Sequence, residues 1–240
     1  MKNMFISDLH LEPESLYIVD LFIDFLLSAS AKSNNLFILG DFFEVWIGDD
    51  DNSPFNQKVV SALQKATQQG LKIHIMHGNR DFLLGKRFFR ETGCQRLPDE
   101  YVINLAGRPT LLMHGDTLCT ADLSYLRFRK KTRNWFVQKL FLLKPLRKRQ
   151  EIAMKMRAAS MAHTQTVTQE IMDVTLAEVE RVMSKHCVQD LIHGHTHRPA
   201  VHHFPLNDKP ATRTVLAPWH KEGYVLVYDS EGNNDLLVLR

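Results

Sequence analysis

Leu36-Phe37-Ile38-Leu39-Gly40-Asp41 is the most informative stretch of the sequence, because four apolar residues end abruptly at a glycine and a carboxylate. A short apolar run that stops at turn residues is typical of a buried strand. Four further runs have the same form: Met4–Ile6 before Ser7-Asp8, Ile73–Met76 before His77-Gly78-Asn79, Thr110–Met113 before His114-Gly115-Asp116, and Leu191–Ile192 before His193-Gly194-His195. Helical patterns lie between the first three runs, at about 13–31 and from Ser53-Pro54 to Gly70. Strands that alternate with helices predict an α/β fold.

The C-terminal tail indicates a different arrangement. Val215–Leu216, Tyr224–Tyr228 and Leu236–Leu239 are apolar runs joined by glycine and asparagine turns. Because no helical pattern separates them, these runs predict a second, antiparallel sheet.

The composition excludes several classes of protein. The 240 residues are 44% hydrophobic and 24% charged, both close to the averages for globular proteins. Intrinsic disorder and collagen-like or disulfide-stapled folds are therefore excluded, and we expect one domain over residues 1–240. No apolar run reaches the ~18 residues of a membrane helix, and the start of the chain is too short and too soon acidic for a signal peptide. The odd set of Cys94, Cys119 and Cys187 fits a reducing cytoplasm.

Charge is segregated along the chain. Residues 123–157 hold twelve Lys or Arg and one acidic residue, a net charge of +11, whereas the remainder holds 18 basic and 26 acidic residues. Large apolar side chains, including Trp135, Phe136 and Phe141, are interleaved with these charges at roughly helical spacing. The segment is too long for an ordinary connection between strands. We therefore expect a helical insertion over about 122–186, lying over the edge of the sheet.

Residues that bind metals follow all five apolar runs. In chain order they are Asp8 and His10, Asp41, Asn79, His114, and His195 and His197. A single such residue is more often a turn residue, so it is the recurrence at five strand ends that indicates a site. Loops beyond the carboxyl ends of strands gather in one crevice of an α/β fold, which would bring these distant residues together.

The types of ligand restrict the ion. Imidazoles, carboxylates and an amide, without thiolates, suit Mn²⁺, Fe, Zn²⁺ or Mg²⁺. Seven side chains exceed the needs of one site and favour two ions about 3.5–4 Å apart, bridged by one carboxylate. Such a pair lowers the pKa of a shared water and clamps the oxygens of a phosphate. The sequence therefore predicts hydrolysis of an anionic phosphate ester or diphosphate.

These five motifs, in this order, resemble the calcineurin-like metallophosphoesterases. The resemblance implies a sandwich of two facing sheets flanked by helices, with a dinuclear centre between strand ends. It assigns the first ion to Asp8, His10, Asp41 and His197, and the second to Asp41, Asn79, His114 and His195. Asp41 would then bridge the two ions.

One position distinguishes the chain from most of that superfamily. Where histidine often follows the asparagine, this sequence has Arg80. An arginine cannot release its proton near neutrality, but it can bind a diphosphate through two hydrogen bonds. Arg80 and three longer motifs resemble the UDP-2,3-diacylglucosamine hydrolases of lipid A biosynthesis, and the likeness extends over nearly the whole chain. The three motifs are Gly40–Asp50, His114–Cys119 and Glu170–Val174.

This closer resemblance implies a reaction. Metal-activated water attacks the α-phosphorus of UDP-2,3-diacylglucosamine and gives UMP and 2,3-diacylglucosamine 1-phosphate (lipid X), with two Mn²⁺ as the usual ions. The implied catalytic residues are Asp41, Asn79, Arg80 and His195. The implied substrate contacts are Asn79, Arg80, Asp122, Ser160, Thr164 and His195. Val167 and Ala217-Pro218 depart from the family pattern, in which a lysine and Gly-Asp are usual, and this leaves the substrate affinity and the local turn open.

The basic segment fits a lipid substrate. An apolar cleft between its helices would hold acyl chains, at roughly 0.8 kcal/mol per buried methylene. Its cations would attract anionic lipid, at about 1 kcal/mol per residue near the surface. We therefore expect a cytoplasmic protein attached peripherally to the inner membrane, with the lipid surface as a partner and no nucleic acid.

Two other functions remain open on the sequence alone. A dinuclear phosphodiesterase or nuclease would keep the same chemistry and grip a nucleic acid with the basic segment, and its affinity would fall steeply with salt. A non-enzymatic basic module that only docks on membranes is the other, but it leaves seven aligned ligands unexplained.

Overall fold

Two β-sheets form the centre of the molecule in the computed structural model, which describes residues 2–30, 34–166 and 173–240. The first sheet has strand order β11-β10-β1-β2-β3-β4 and the second β5-β6-β7-β9-β8. The strands of the first sheet are β1 (Asn3–Ile6), β2 (Asn35–Leu39), β3 (Lys72–Met76), β4 (Gln95–Leu97), β10 (Gly223–Tyr228) and β11 (Asn234–Leu239). Those of the second are β5 (Glu100–Leu105), β6 (Arg108–Met113), β7 (Asp190–His193), β8 (Ala200–Leu206) and β9 (Lys209–Val215).

Helices cover the outer faces of both sheets. They are α1 (Leu16–Ser30), α2 (Pro54–Gln68), α3 (Lys86–Thr92), α4 (Leu123–Thr132), α5 (Trp135–Leu142), α6 (Leu146–Thr166) and α7 (Leu176–Lys185). The Ser53 hydroxyl caps α2 by accepting a hydrogen bond from the Asn56 N–H, and Pro54 occupies the first turn, as the sequence predicts. Among the described helices, none combines the length and apolar content that a bilayer span requires.

The apolar runs are continuous because strands are buried on both faces. Successive side chains of a strand point to opposite faces of the sheet. In β2, Leu36 and Ile38 pack against α1 and α2, whereas Phe37 and Leu39 pack between the two sheets with Leu112 of β6. On the far side, the second sheet packs against α7. The layers are therefore helix, sheet, sheet and helix, the two-sheet sandwich that the resemblance implies.

The five predicted strands are all present, but the tail differs from its prediction. β10 pairs antiparallel with β1, and β11 with β10, so both extend the first sheet. Val215 instead ends β9, which lies parallel to β7 in the second sheet. The prediction that the tail forms a separate antiparallel sheet is therefore wrong. The reason is that β2 pairs with one edge of β1 and leaves the other edge available for β10. β10 also supplies apolar side chains to both faces of the sheet, Val225 towards the helices and Leu226 towards the second sheet.

The basic segment forms α4, α5 and α6, and α7 follows within the range predicted to be helical. One buried cation joins this segment to the body of the molecule. Arg149 is only 2% exposed, and its guanidinium donates to the carbonyl oxygen of Ile47 at 2.7 Å and to the Asp50 carboxylate. That the segment is a single inserted unit over 122–186 stays a prediction.

A carboxylate from a distant loop caps α3. Asp49 accepts hydrogen bonds from the N–H groups of Gly85, Arg87 and Phe88 at 2.9 to 3.0 Å, and from the Trp46 indole at 3.1 Å. The first N–H groups of a helix have no partner within the helix, so this one side chain satisfies several donors and fixes the loop that follows Asp41.

We expect Asp49→Ala to lower the free energy of unfolding by about 2 kcal/mol, because the cap and the indole lose a charged acceptor together. Urea denaturation measures the change, with the exposed Asp24→Ala on α1 as the matched control. Equal stability of the two variants would contradict the capping role.

Candidate active site

The predicted ligands lie on backbone turns of an unusual conformation. Asp8, His10, Asp41, His195 and His197 all have φ between 48° and 69°, and they are five of the nine non-glycine residues with positive φ in the described part of the chain. The left-handed conformation costs an L-residue roughly 1–2 kcal/mol, and such strain concentrates at functional sites. The strain therefore marks the ends of β1, β2 and β7, which these five residues follow, as a site.

Two glycines allow the turns to approach each other closely. A Cβ atom on Gly78 would lie 2.1 Å from the backbone nitrogen of Asp41, and one on Gly194 would lie 2.3 Å from Asp8 Oδ2. Real Cβ atoms do not approach so near, so only glycine permits this packing. The glycines of the motifs thus bring turns from both sheets together.

Asp8, His10 and His197 form the first of two triplets, in which one potential ligand atom from each lies within 4.8 Å of the others. His10 Nε2 and His197 Nε2 are 3.2 Å apart, and His197 Nε2 is 3.4 Å from Asp8 Oδ1 without the alignment of a hydrogen bond. Asp8 Oδ1 is buried and has no aligned donor within the described ranges of the chain. Two atoms about 2.1 Å from one ion at right angles lie about 3 Å apart, so these distances fit neighbouring ligands of a divalent cation.

Asp41, His114 and His195 form the second triplet, on the same distance limit. The His114 ring donates from Nδ1 to the carbonyl oxygen of Leu39 at 2.8 Å, which leaves its Nε2 as the atom with a lone pair. That Nε2 lies 2.9 Å from Asn79 Oδ1. Asn79, the seventh predicted ligand, is therefore at this triplet too.

The two carboxylate oxygens of Asp41 face different triplets. Oδ1 lies 3.7 Å from His114 Nε2, and Oδ2 lies 3.9 Å from His10 Nε2. Oδ1 also accepts a hydrogen bond from the backbone N–H of Arg80 at 2.9 Å. A carboxylate in this position is suited to bridge two ions. The structure thus brings all seven predicted ligands together, while their roles as ligands stay a prediction.

Two acidic residues that the sequence analysis did not single out support the ligands. Glu44 Oε2 lies 2.7 Å from His10 Nδ1 and so orients the ring with Nε2 towards the triplet. Asp81 is fully buried and accepts from the N–H groups of Gly78 and Phe42 at 2.7 and 2.8 Å. Glu44 lies in the Gly40–Asp50 motif and Asp81 lies two residues after Asn79, and this proximity to predicted ligands was the available signal.

The pKa values of Asp8 and His195 suit cation binding, whereas that of His10 does not. Burial raises the pKa of Asp8, but neighbouring histidines, chiefly His197, outweigh it and hold that pKa well below its usual range. Burial and the charge of His114 lower the pKa of His195 to about 4. Burial also lowers the pKa of His10, but the hydrogen bond with Glu44 and nearby carboxylates raise it to about 9. At neutral pH Asp8 is an anion and His195 a neutral base, whereas His10 must lose a proton to bind a metal.

Helix α4 is tied to the site through a buried carboxylate that the sequence analysis missed. Asp116 accepts hydrogen bonds from Tyr125 Oη at 2.5 Å and from Arg129 Nε at 2.6 Å. The Tyr125 ring in turn lies 6.1 Å from the His195 ring, centre to centre. This network fixes the first turns of α4 beside the second triplet. The signal for it, Asp116 at the end of the fourth run, lies in a motif read only for His114.

An apolar cavity of about 370 Å³ opens beside the triplets. Asn79, Arg80 and Ser160 line it, as three of the predicted substrate contacts. Most of its wall is apolar and comes from the loop after β2, from the residues after Arg80 and from α4, α5 and α6. These residues include Val45, Trp46, Ile47, Phe82, Leu83, Phe128, Phe141, Ala153, Met156 and Ala159. An anionic end and a long apolar body are the ligand features that this arrangement fits.

The remaining predicted contacts have different positions. Asp122 caps α4 by accepting from the Tyr125 N–H at 2.9 Å and also accepts from the Ser124 hydroxyl at 2.6 Å. His195 belongs to the second triplet. The side chain of Thr164, like residues 167–172 with Val167 and most of the Glu170–Val174 motif, lies outside the described residues.

Comparison with known proteins identifies the family. A model described as calcineurin-like phosphoesterase matches residues 1–199. A UDP-2,3-diacylglucosamine hydrolase from Photobacterium profundum is 48% identical over 97% of this chain and 95% of its own length. Proteins of the same name are 48% identical in Ectopseudomonas mendocina, over 96% of both chains, and 50% identical in an Enterobacter species, over 97% of both. The chain belongs to the calcineurin-like phosphoesterases and, within them, to the family of the UDP-2,3-diacylglucosamine hydrolases.

Proposed function

We propose that this protein hydrolyses the diphosphate bond of UDP-2,3-diacylglucosamine, with water attacking the α-phosphorus to give UMP and 2,3-diacylglucosamine 1-phosphate. The observation that carries the proposal is the position of Asn79 and Arg80, which connect the paired triplets to the apolar cavity. A diphosphate at the triplets then places a diacylated sugar where the wall is apolar. Relatives at about 50% identity bear the name of this activity.

The proposed ions are two Mn²⁺, held by the two triplets and bridged by Asp41. When bound, they supply a hydroxide at neutral pH and positive charge for the phosphate oxygens. Asp8 and Asp41 are the carboxylates buried among these imidazoles. Two divalent ions less these two anions leave about two positive charges at the site, which favours an anionic substrate.

Arg80 is the proposed diphosphate-binding residue. Its guanidinium is 3.4 Å from Glu44 Oε1, and its side chain is 24% exposed, so it is held in place and still accessible. The planar cation can donate two parallel hydrogen bonds to a phosphate and stabilise charge that develops during attack. His195, neutral and beside Asp41, and Asn79 complete the proposed catalytic set.

The apolar cavity is the proposed acyl-chain site, and helices α4 to α6 are the proposed lid over it. Their side chains close the apolar cavity opposite the loop after β2. Each acyl methylene buried there contributes roughly 0.8 kcal/mol, which is enough to select a lipid over a small phosphodiester. Ser160 and Thr164 on α6, and Asp122 before α4, remain proposed contacts of the substrate.

The outer surface of the same helices is the proposed membrane contact. On α5 and just after it, Trp135 is 69% and Leu143 72% exposed. Exposed cations lie next to them on α4 to α6: Arg127, Lys130, Lys131, Lys139, Lys144, Arg147 and Lys148. Aromatic and aliphatic side chains beside cations are typical of a surface that rests on anionic lipid. This supports peripheral attachment to the cytoplasmic face of the inner membrane.

Product analysis in ¹⁸O-labelled water tests the reaction. With UDP-2,3-diacylglucosamine and Mn²⁺ we expect one labelled oxygen in UMP and none in the lipid product, because the α-phosphorus is attacked. Label in the lipid product would contradict the site of attack. If no divalent metal supported turnover of UDP-2,3-diacylglucosamine and the protein cleaved single-stranded DNA, a nuclease would be favoured instead.

Two substitutions separate metal binding from substrate binding. Asp41→Ala removes the bridging carboxylate, so we expect turnover to fall to background and fewer than two Mn²⁺ to bind per chain. Arg80→Ala should lower kcat/KM by about a hundredfold or more and leave both ions bound. Metal content and turnover of each variant are measured on the same sample. Wild-type turnover by Asp41→Ala would contradict the dinuclear mechanism.

The membrane role is tested with the exposed cations of α4. The triple variant Arg127→Gln/Lys130→Gln/Lys131→Gln should bind vesicles containing phosphatidylglycerol about a hundredfold more weakly, since each cation contributes about 1 kcal/mol. Lys86→Gln/Lys209→Gln/Lys221→Gln, with the same loss of charge elsewhere, is the control. Turnover of a small soluble phosphodiester should be unchanged in both. An equal effect of the two triple variants on vesicle binding would rule out a specific surface.

A further inference from the structure

A second cavity, of about 320 Å³, adjoins the first triplet. His10 and His197 of the first triplet line it, together with Glu12 and Ser15 before α1 and His220 after β9. Its wall is more polar than that of the acyl cavity, and no step proposed above uses it.

The two cavities meet at a shared wall. Glu44 and Arg80 line both of them. If Arg80 binds the diphosphate, as proposed above, the two ends of the substrate extend from this wall in different directions. The acyl chains require the apolar cavity, so the other end, a nucleoside, is left with the polar one.

We propose that the cavity formed by His10, Glu12, Ser15, His197 and His220 is the nucleoside site, and that Glu12 determines the preference for a ribonucleotide. This inference rests on the proposed function and adds the residues that recognise the leaving nucleotide.

Glu12 is held ready to accept hydrogen bonds from a sugar. Its Oε1 accepts from the Ser15 hydroxyl at 3.2 Å, and its Oε2 lies 3.1 Å from Arg157 Nη2. An ionised carboxylate offers about four acceptor positions, so these two contacts leave room for two more. The side chain is 24% exposed and faces the cavity. A carboxylate in such a position recognises the hydroxyls of a ribose, as in dinucleotide-binding folds.

His220 provides an aromatic surface at the same cavity. Its ring centre is 6.0 Å from that of His197. The preceding residue, Trp219, is held by two hydrogen bonds: its backbone N–H donates to the carbonyl oxygen of Asp8 at 3.1 Å, and its indole N–H donates to the carbonyl oxygen of Tyr224 at 3.0 Å. The His220 ring is exposed. Nucleobases stack on exposed aromatic rings of this kind, so His220 is the base-stacking residue.

Calorimetric binding of nucleotides to the Mn²⁺-loaded protein tests the proposal. Glu12 also pairs with Arg157, which lines the acyl cavity, so its loss could change the affinity for every ligand. The measured quantity is therefore the ratio of the affinities for two nucleotides that differ only in the 2′-hydroxyl. Wild type should bind UMP about tenfold more tightly than 2′-deoxy-UMP, since one charge-assisted hydrogen bond is lost. In Glu12→Ala the two affinities should become equal. The exposed Glu14→Ala, two residues along the chain, should keep the wild-type ratio.

His220→Ala separates the base from the sugar. It should weaken UMP binding severalfold and leave ribose 5-phosphate unchanged. An unchanged UMP to 2′-deoxy-UMP ratio in Glu12→Ala, or no UMP binding by wild type at millimolar concentration, would overturn the proposed site. Turnover of UDP-2,3-diacylglucosamine by wild type is scored separately, so that failure of the nucleoside site and failure of the proposed reaction give different results.

Discussion

The crowding of buried carboxylates and imidazoles between two sheets is the constraint on which the structure depends. Asp8 and Asp41 are almost fully buried, and Asp81 beside them is fully buried. Burial, and after it the charge of Asp41, raise the pKa of Asp81 to about 6. Uncompensated buried charges cost several kcal/mol each, and the proposed cations at the triplets would offset that cost. The left-handed turns add strain that only a rigid surround maintains.

Under the proposed function, the rest of the molecule would present a long, two-ended substrate to this centre. Glu44 orients His10 and holds both Arg80 and Arg157, whose Nε lies 3.0 Å from Glu44 Oε1. It therefore couples a predicted ligand, the proposed diphosphate-binding residue and α6. Helix α4 is attached through Asp116, and α6 through Arg149. A basic segment that folded apart from the sheets would provide none of these contacts.

Much of this could be predicted from the sequence, because the information is local. Five strands are apolar runs that end at a predicted ligand, and parallel neighbours bring those ends to the same edge of a sheet. The tail could not be placed in the same way. Its runs show that strands are present, but whether β10 pairs with β1 or with another tail strand depends on which sheet edge is available. Only the three-dimensional structure shows that edge.

The supporting residues were missed for a related reason. Glu44 and Asp116 lie in motifs whose sequence does not show what they contact, and Glu12 looks like an ordinary surface acid. Their roles depend on partners such as Arg157, Arg129 and His10, and a spacing pattern does not indicate those pairs. The strained φ angles at Asp8 and Asp41 are also invisible in the sequence, since neither residue is a glycine.

The central claim is that distant strand ends enclose two cations bridged by one carboxylate. Anomalous diffraction from a crystal soaked in Mn²⁺ tests it most directly. We expect two peaks about 3.5–4 Å apart, one beside Asp8, His10 and His197 and the other beside Asn79, His114 and His195, with one oxygen of Asp41 directed at each. A single peak, or none among these residues, would contradict it.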